Sequence, residues 1–282
     1  MEFLLSTKES IMTDQFADFK EISRQARKEL ITMIGGLGVG HVGGSLSIIE
    51  ALVYLYFREM RIRPENPSWA DRDRFILSKG HAGPALYTIL AMRGYFDKSL
   101  LATLNQPDTN LPSHCDMLRT TGVDMTAGSL GQGLSAAVGM AYSARLDAKD
   151  YRVFCIVGDG EMQEGQIWEA AMYAASRKLD NLVVLIDDND LQIDGATDDI
   201  NSVRSIEERW AAFGWDVMPV NGHDFSHLEN AFAFARQGGG KPKAIVMRTI
   251  KGRGVSIAEG KLSSHNMPLS PEDTAAALLE LG

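Results

Sequence analysis

Val153-Phe154-Cys155-Ile156-Val157-Gly158-Asp159-Gly160 is an apolar run cut off by an acidic residue between two glycines. Leu182-Val183-Val184-Leu185-Ile186-Asp187-Asp188-Asn189 repeats the pattern, again ending in acidic and amide groups. Runs that are apolar throughout, rather than at alternate positions, belong to strands buried on both faces, as in a parallel sheet covered by helices. Working outward, Arg74-Phe75-Ile76-Leu77, Trp215 to Val220 and Ala244 to Met247 read as further strands. Helical spacing fills the gaps. Phe16, Phe19, Ile22, Ala26, Leu30, Met33 and Leu37 recur at three- and four-residue steps, with Thr13 or Asp14 as N-cap and Gly35-Gly36 as the stop. Further helices are expected from Ser47 to about Glu59, from Leu130 to about Leu146, near 163–178, 202–213 and 224–236, and from Pro271 to Leu281. The alternation predicts one α/β domain over residues 1–282, a doubly wound parallel sheet with helices on both faces.

The 282 residues, 45% hydrophobic and 23% charged, suffice for a large core. A net charge of -9 leaves no basic face for a polyanion, so nucleic acid is not an expected partner. A small phosphorylated ligand stays compatible if a few donors and a metal converge on it. Two cysteines, Cys115 and Cys155, make no disulfide framework and fit a reduced, cytoplasmic chain. Phe3-Leu4-Leu5 is too short for a signal-peptide core, and no apolar stretch approaches the roughly 20 residues that span a bilayer, so no membrane role is expected.

Open parallel sheets bind ligands where the strands end at their C-termini. Gly158-Asp159-Gly160 lies at such an end, and its glycines let the backbone approach an anion while Asp159 offers hard oxygen to magnesium or calcium. Alone, Gly-Asp-Gly is more often a tight strand-to-helix turn. Asn189, about thirty residues on at the next strand end, changes that balance, because neighbouring parallel strands would place both residues on one cation. Such a site is expected to neutralise a diphosphate without lysine or arginine. Four of the six histidines, His41, His81, His114 and His265, stand in glycine-rich or loop-like stretches where an imidazole can exchange protons near neutrality. His223 and His227 match no motif and read as structural or exposed.

The spacing of Gly-Asp-Gly and Asn189 resembles the thiamine-diphosphate motif, and the longer text resembles transketolase. The resemblance rests on Gly158 to Gln166 with Trp168-Glu169-Ala170, on Asp124-Met125-Thr126-Ala127-Gly128-Ser129-Leu130-Gly131-Gln132-Gly133-Leu134-Ser135, and on Gly40-His41, Ser78-Lys79-Gly80-His81 and His265. It implies the thiamine-diphosphate-binding fold and a transferase moving a two-carbon ketol unit between sugar phosphates. It implies Asp159 and Asn189 as side-chain metal ligands with the Leu191 carbonyl, for Mg2+ or Ca2+. Gly160 would then offer its N–H to the diphosphate, and Gly128 and Leu130 would touch the cofactor. His41, His81, His114 and His265 would line the reaction centre, and Glu164 would join a proton relay at a subunit interface.

This sequence departs from the pattern in places. Val42 stands where proline is usual, Ser113 and Cys115 flank His114 in place of glycine and proline, and Asp190 replaces a basic residue. These changes leave the sugar open, including branched or sulfonated ones. Only about one helix follows His265, so the resemblance implies a second chain carrying the pyrimidine domain and its activating glutamate, in a heterotetramer. The 130–146 helix, rich in glycine and alanine, would pack on cofactor, partner or core. Competing readings are a 2-oxo acid dehydrogenase α chain, a deoxyxylulose phosphate synthase fragment and a non-catalytic thiamine-diphosphate-binding module. A dinucleotide site is disfavoured, since Gly35-Gly36-Leu37-Gly38 follows a helix rather than a strand.

Overall fold

The computed structural model describes residues 15–282. Along the chain run α1 (Ala17–Leu37), β1 (Val39–Gly40), α2 (Gly43–Leu46), α3 (Ile49–Tyr54), β2 (Arg74–Leu77), α4 (Gly83–Met92) and α5 (Gln132–Leu146). Then follow β3 (Val153–Gly158), α6 (Gly165–Ser176), β4 (Leu182–Asp188), β5 (Leu191–Gln192), β6 (Gly195–Ala196), α7 (Thr197–Asn201) and α8 (Ile206–Ala212). The last part is β7 (Asp216–Asn221), α9 (Phe225–Ala235), β8 (Lys243–Arg248), β9 (Met267–Pro268) and α10 (Pro271–Glu280).

Five strands form one parallel sheet in the order β2-β3-β4-β8-β7. The apolar runs sit in it as expected, and successive residues go to opposite faces. Phe154, Ile156, Val183, Leu185, Ile245 and Met247 pack with α1, α3, α4, α9 and α10. Val153, Cys155, Val157, Val184, Ile186 and Val246 pack on the other side with α5, α6 and α8. A continuous apolar strand is therefore two alternating ones, each serving its own layer of helices.

The helices differ from expectation at their ends. The N-cap candidates Thr13 and Asp14 lie outside the described residues, and α1 opens with Phe16 at the N-cap without a side-chain bond. It runs through Gly35-Gly36 and stops at Gly38, whose φ of 84° is left-handed. Gly35 is needed inside the helix because a Cβ there would come within 2.4 Å of Thr274 Oγ1 on α10. The helix expected from Ser47 begins earlier, at Gly43, breaks near Ser47, and closes with a wide π-helical turn over Leu55–Glu59. The helix expected over 202–213 is shorter, α8 beginning only at Ile206, and an unexpected short helix, α7, precedes it. The last helix carries a full capping box, Ser270 with Asp273, and Pro271 in its first turn.

Candidate active site

Register brings the two motif strands together. β3 and β4 pair from Val153 with Leu182 to Gly158 with Asp187, so Asp159 and Asn189 leave the same sheet edge side by side. The Asp159 N–H donates to the Asp187 carbonyl at 3.2 Å. Asp159 itself is 3% exposed; its Oδ1 accepts from Gly160 N–H at 2.8 Å and its Oδ2 from Asp190 N–H at 2.8 Å and Thr197 Oγ1 at 3.2 Å. Burial, then the nearby Asp187 charge, pushes its carboxyl up to about 6. Asn189 donates from Nδ2 to Asp187 Oδ2 at 2.9 Å and accepts Leu191 N–H on Oδ1 at 3.2 Å. The small hairpin of β5 and β6 presents the Leu191 carbonyl to the same space, where Lys251 Nζ donates to it at 3.0 Å.

Asp187 is the buried anchor. Its carboxylate accepts from Ser47 Oγ at 2.7 Å, Lys79 Nζ at 2.5 Å and Thr249 Oγ1 at 2.5 Å. Burial alone would raise this carboxyl, but Lys79, Thr249 and Ser47 bring it below its ordinary value. The ion pair is almost dry, with side chains 2% and 0% exposed.

Above this floor the four histidines converge from four separate segments. The His41 ring centroid lies 5.4 Å from His81 and 5.6 Å from both His114 and His265, and His81 lies 4.9 Å from His265. Burial, with the charges of the neighbouring lysines, holds His81 well below its usual value. Burial likewise lowers His41 and His265 to about 4. Burial also lowers His114. The cluster is thus neutral at physiological pH, each ring offering one donor and one acceptor. His223 stands apart, its Nδ1 3.0 Å from Glu50 and its Nε2 accepting Ile250 N–H at 2.9 Å, a structural post.

The whole set lines one cavity of about 360 Å³, with Gly128, Leu130, Gly160 and Glu164 also on its wall. Gly128 faces the His114 ring at 3.8 Å, measured from where a Cβ would stand. Glu164 is exposed at the N-cap of α6, packed against Gly131.

Beside the expected residues, two lysines that the sequence reading did not place in the site, Lys79 and Lys251, also line the cavity. Burial, then Lys79, lowers the Lys251 ammonium to about 8, and its Nζ stands 3.2 Å from His265 Nδ1. Lys79 is visible within Ser-Lys-Gly-His, and Lys251 within Lys-Gly-Arg-Gly just after a strand. Position at a strand end, not residue type, is the signal that marks them. Among the described residues no three His, Cys, Asp or Glu side chains form a metal cluster. The candidate donor set is instead one carboxylate, one amide and one carbonyl, all hard oxygens of the kind magnesium takes. Asp159, pushed toward protonation by burial, would be relieved by a cation, and the two ammonium groups beside it suit a diphosphate. The residues present fit a metal–diphosphate group.

Sheet, strand-end acids, lysines and neutral histidines together define a doubly wound protein with a built site for a phosphorylated cofactor. The chain matches the family described as "Transketolase, thiamine diphosphate binding domain" over residues 20–282. It is 54% identical to the 6-deoxy-6-sulfo-D-fructose transketolase subunit SqwG of Clostridium sp. (strain MSTE9), over 96% of this chain and 98% of that one. It is 39% identical to one subunit of the apulose-4-phosphate transketolase of Phocaeicola vulgatus, over 92% of each chain. Human transketolase is 37% identical, with 93% of this chain matched but 41% of the human one. Transketolase from Leishmania mexicana superposes with a TM-score of 0.89 at 31% identity, covering 94% of this chain and 41% of that one. The chain belongs to the transketolase family, as its thiamine-diphosphate-binding part.

Proposed function

We propose that the chain is a subunit of a thiamine-diphosphate-dependent transketolase, transferring a two-carbon ketol unit between sugar phosphates. The observation that carries this reading is the cluster of imidazoles, His81, His114 and His265 gathered 5.4–5.6 Å from His41, above a floor of Asp159, Asn189, Leu191, Lys79 and Lys251. Asp159, Asn189 and the Leu191 carbonyl hold Mg2+, with Ca2+ a substitute. Lys251 supplies positive charge that meets the diphosphate, with Lys79 behind it paired to Asp187. Bound there, thiamine diphosphate supplies the electron sink that makes a ketose carbon–carbon bond cleavable. His41, His81, His114 and His265 hold the sugar hydroxyls and, being neutral, accept or donate a proton without first changing charge. Glu164 stands at the surface where a neighbouring subunit would meet the site.

The domain is single over 1–282, works in the cytoplasm, and needs a separate chain carrying the pyrimidine domain, in a heterotetramer. Support comes from relatives named as subunits that this chain matches over 98% and 92% of their length. A sulfonated donor is favoured by the higher identity, 54% against 39%, to the sulfofructose relative.

The test is a pull-down of the tagged chain from native extract with thiamine diphosphate and magnesium present. The expected result is a stoichiometric partner and ketol transfer only in the mixture, faster with 6-deoxy-6-sulfofructose than with fructose 6-phosphate as donor. A chain that comes down alone, binds cofactor and stays inert supports the non-catalytic module instead.

A further inference from the structure

Glu161 follows Gly-Asp-Gly directly, and none of the roles above uses it. It is 3% exposed. Its Oε1 accepts from Ser78 Oγ at 2.5 Å and from Gly131 N–H at 2.9 Å, and its Oε2 accepts Gly158 N–H at 3.1 Å. These donors come from three different places: the turn after β2 that continues into Lys79 and His81, the loop holding Gly128 and Leu130, and the end of β3 that leads to Asp159. All three are cavity walls.

We propose that Glu161 is a positioning residue for the cofactor, a single carboxylate that clamps the three loops around the diphosphate end of the cavity. The inference rests on the cofactor reading above.

The ladder between β2 and β3 pairs Arg74 with Val153 through Leu77 with Ile156, and its last bond is Ser78 N–H to the Ile156 carbonyl at 2.9 Å. Beyond that point the two chains must separate to make room for a ligand, and no backbone pairing holds them. Glu161 takes over there. A carboxylate suits the task because it only accepts, with about four lone-pair directions for three donors. The loops it joins already touch: a Cβ on Gly133 would fall 2.6 Å from Ser78 Cα, and one on Gly80 2.6 Å from the Ala127 carbonyl. A negative charge behind an anion site works against binding by simple Coulomb attraction. Its benefit must therefore come through geometry, which separates this proposal from an electrostatic one.

Glu161→Gln keeps the volume but turns an amide N–H2 toward a donor, so at least one of the three bonds is lost. Ser78→Ala removes one bond and little else. The experiment uses the assembled complex and measures the thiamine diphosphate Kd at saturating Mg2+ by tryptophan fluorescence. Melting temperature without cofactor, and kcat and KM for the sugar at saturating cofactor, are measured alongside. The expected result is a Kd raised about tenfold in Glu161→Gln and about threefold in Ser78→Ala, as loss of charged and neutral hydrogen bonds gives. The sugar KM is unchanged, kcat recovers to within about twofold at saturating cofactor, and the Ser78→Ala melting temperature without cofactor falls by no more than a few degrees, a smaller free-energy loss than that in cofactor binding. An unchanged Kd in Glu161→Gln overturns the proposal, as does a weakening matched by an equal loss of cofactor-free stability in both variants. If Glu161→Gln does not fold, Ser78→Ala decides alone by the same two readings. A wild-type complex that fails to bind thiamine diphosphate overturns the cofactor reading itself, and this one with it.

Discussion

Asp159 should make cation binding fall with acid in a range where ordinary carboxylates do not titrate. Burial and the Asp187 charge place its pKa at about 6, against 3.8 for a free side chain. A cation competes with the proton, because the ligand must be ionised. With that pKa, about nine in ten side chains are ionised at pH 7 and about one in ten at pH 5. Apparent metal affinity therefore drops about tenfold across those two pH units, or roughly 1.4 kcal/mol. The sign for stability follows from the raised pKa. The group favours the folded chain below the unfolded value of 3.8, and that contribution is lost as pH rises through about 6. The cation-free protein is thus penalised above pH 6, and Mg2+ should raise the melting temperature more at pH 7 than at pH 5. Titration calorimetry and thermal melts at the two pH values give both numbers. Binding of magnesium to free thiamine diphosphate, measured in parallel, removes the cofactor's own proton uptake. Asp159→Asn should abolish the slope along with most of the affinity. A metal affinity that is flat from pH 5 to 7 would refute the reasoning.

Three more outcomes follow from the same contacts. Asp187→Ala strands the dry Lys79 ammonium and should cost about 3–5 kcal/mol in urea unfolding, with part regained when Lys79→Met is added. Lys251→Met should raise the His265 pKa from about 4 toward, but not to, its ordinary value, because burial, the larger cause, remains; imidazole proton NMR reads this directly. Gly80→Ala should lower stability by about 1–3 kcal/mol, since the new Cβ meets the Ala127 carbonyl at 2.6 Å and the turn bearing His81 must shift; thermal melts would show it, and a neutral result would mean the turn is loose.

Much of this arrangement is legible in the residues. Val153 to Val157 and Leu182 to Ile186 are buried on both faces because each side meets its own helices, so a continuous apolar run carries an unambiguous message. Asp159 and Asn189 can be paired because neighbouring parallel strands fix where their ends lie. Helix boundaries are less readable, since they depend on distant chain. Gly43 starts α2 early, where a Cβ would strike Ser264 Oγ at 2.3 Å, a contact between segments far apart in sequence. Lys79, Lys251 and Glu161 are harder to read for a related reason, being marked by strand-end position and not by residue type. A long charged side chain is ordinarily solvated, and only the assembled sheet edge shows that these three turn inward. The histidines are easier to find because glycine and loop surroundings announce exposure to a ligand, whereas their lowered pKa values arise first from burial and then from the charges of one another and the lysines, which only the assembled fold supplies.

The pairing of Gly158 with Asp187 has a bearing on which molecules a ligand can stabilise. A slip of one residue between β3 and β4 would send every side chain of the moved strand to the other layer, and would carry Asn189 away from Asp159. Misregistered chains could keep much of their helix content yet could not gather the cation ligands. Only correctly threaded molecules would then gain the added stability that ligand binding confers by mass action. Cofactor and cation would thereby raise the melting temperature of correctly registered molecules alone.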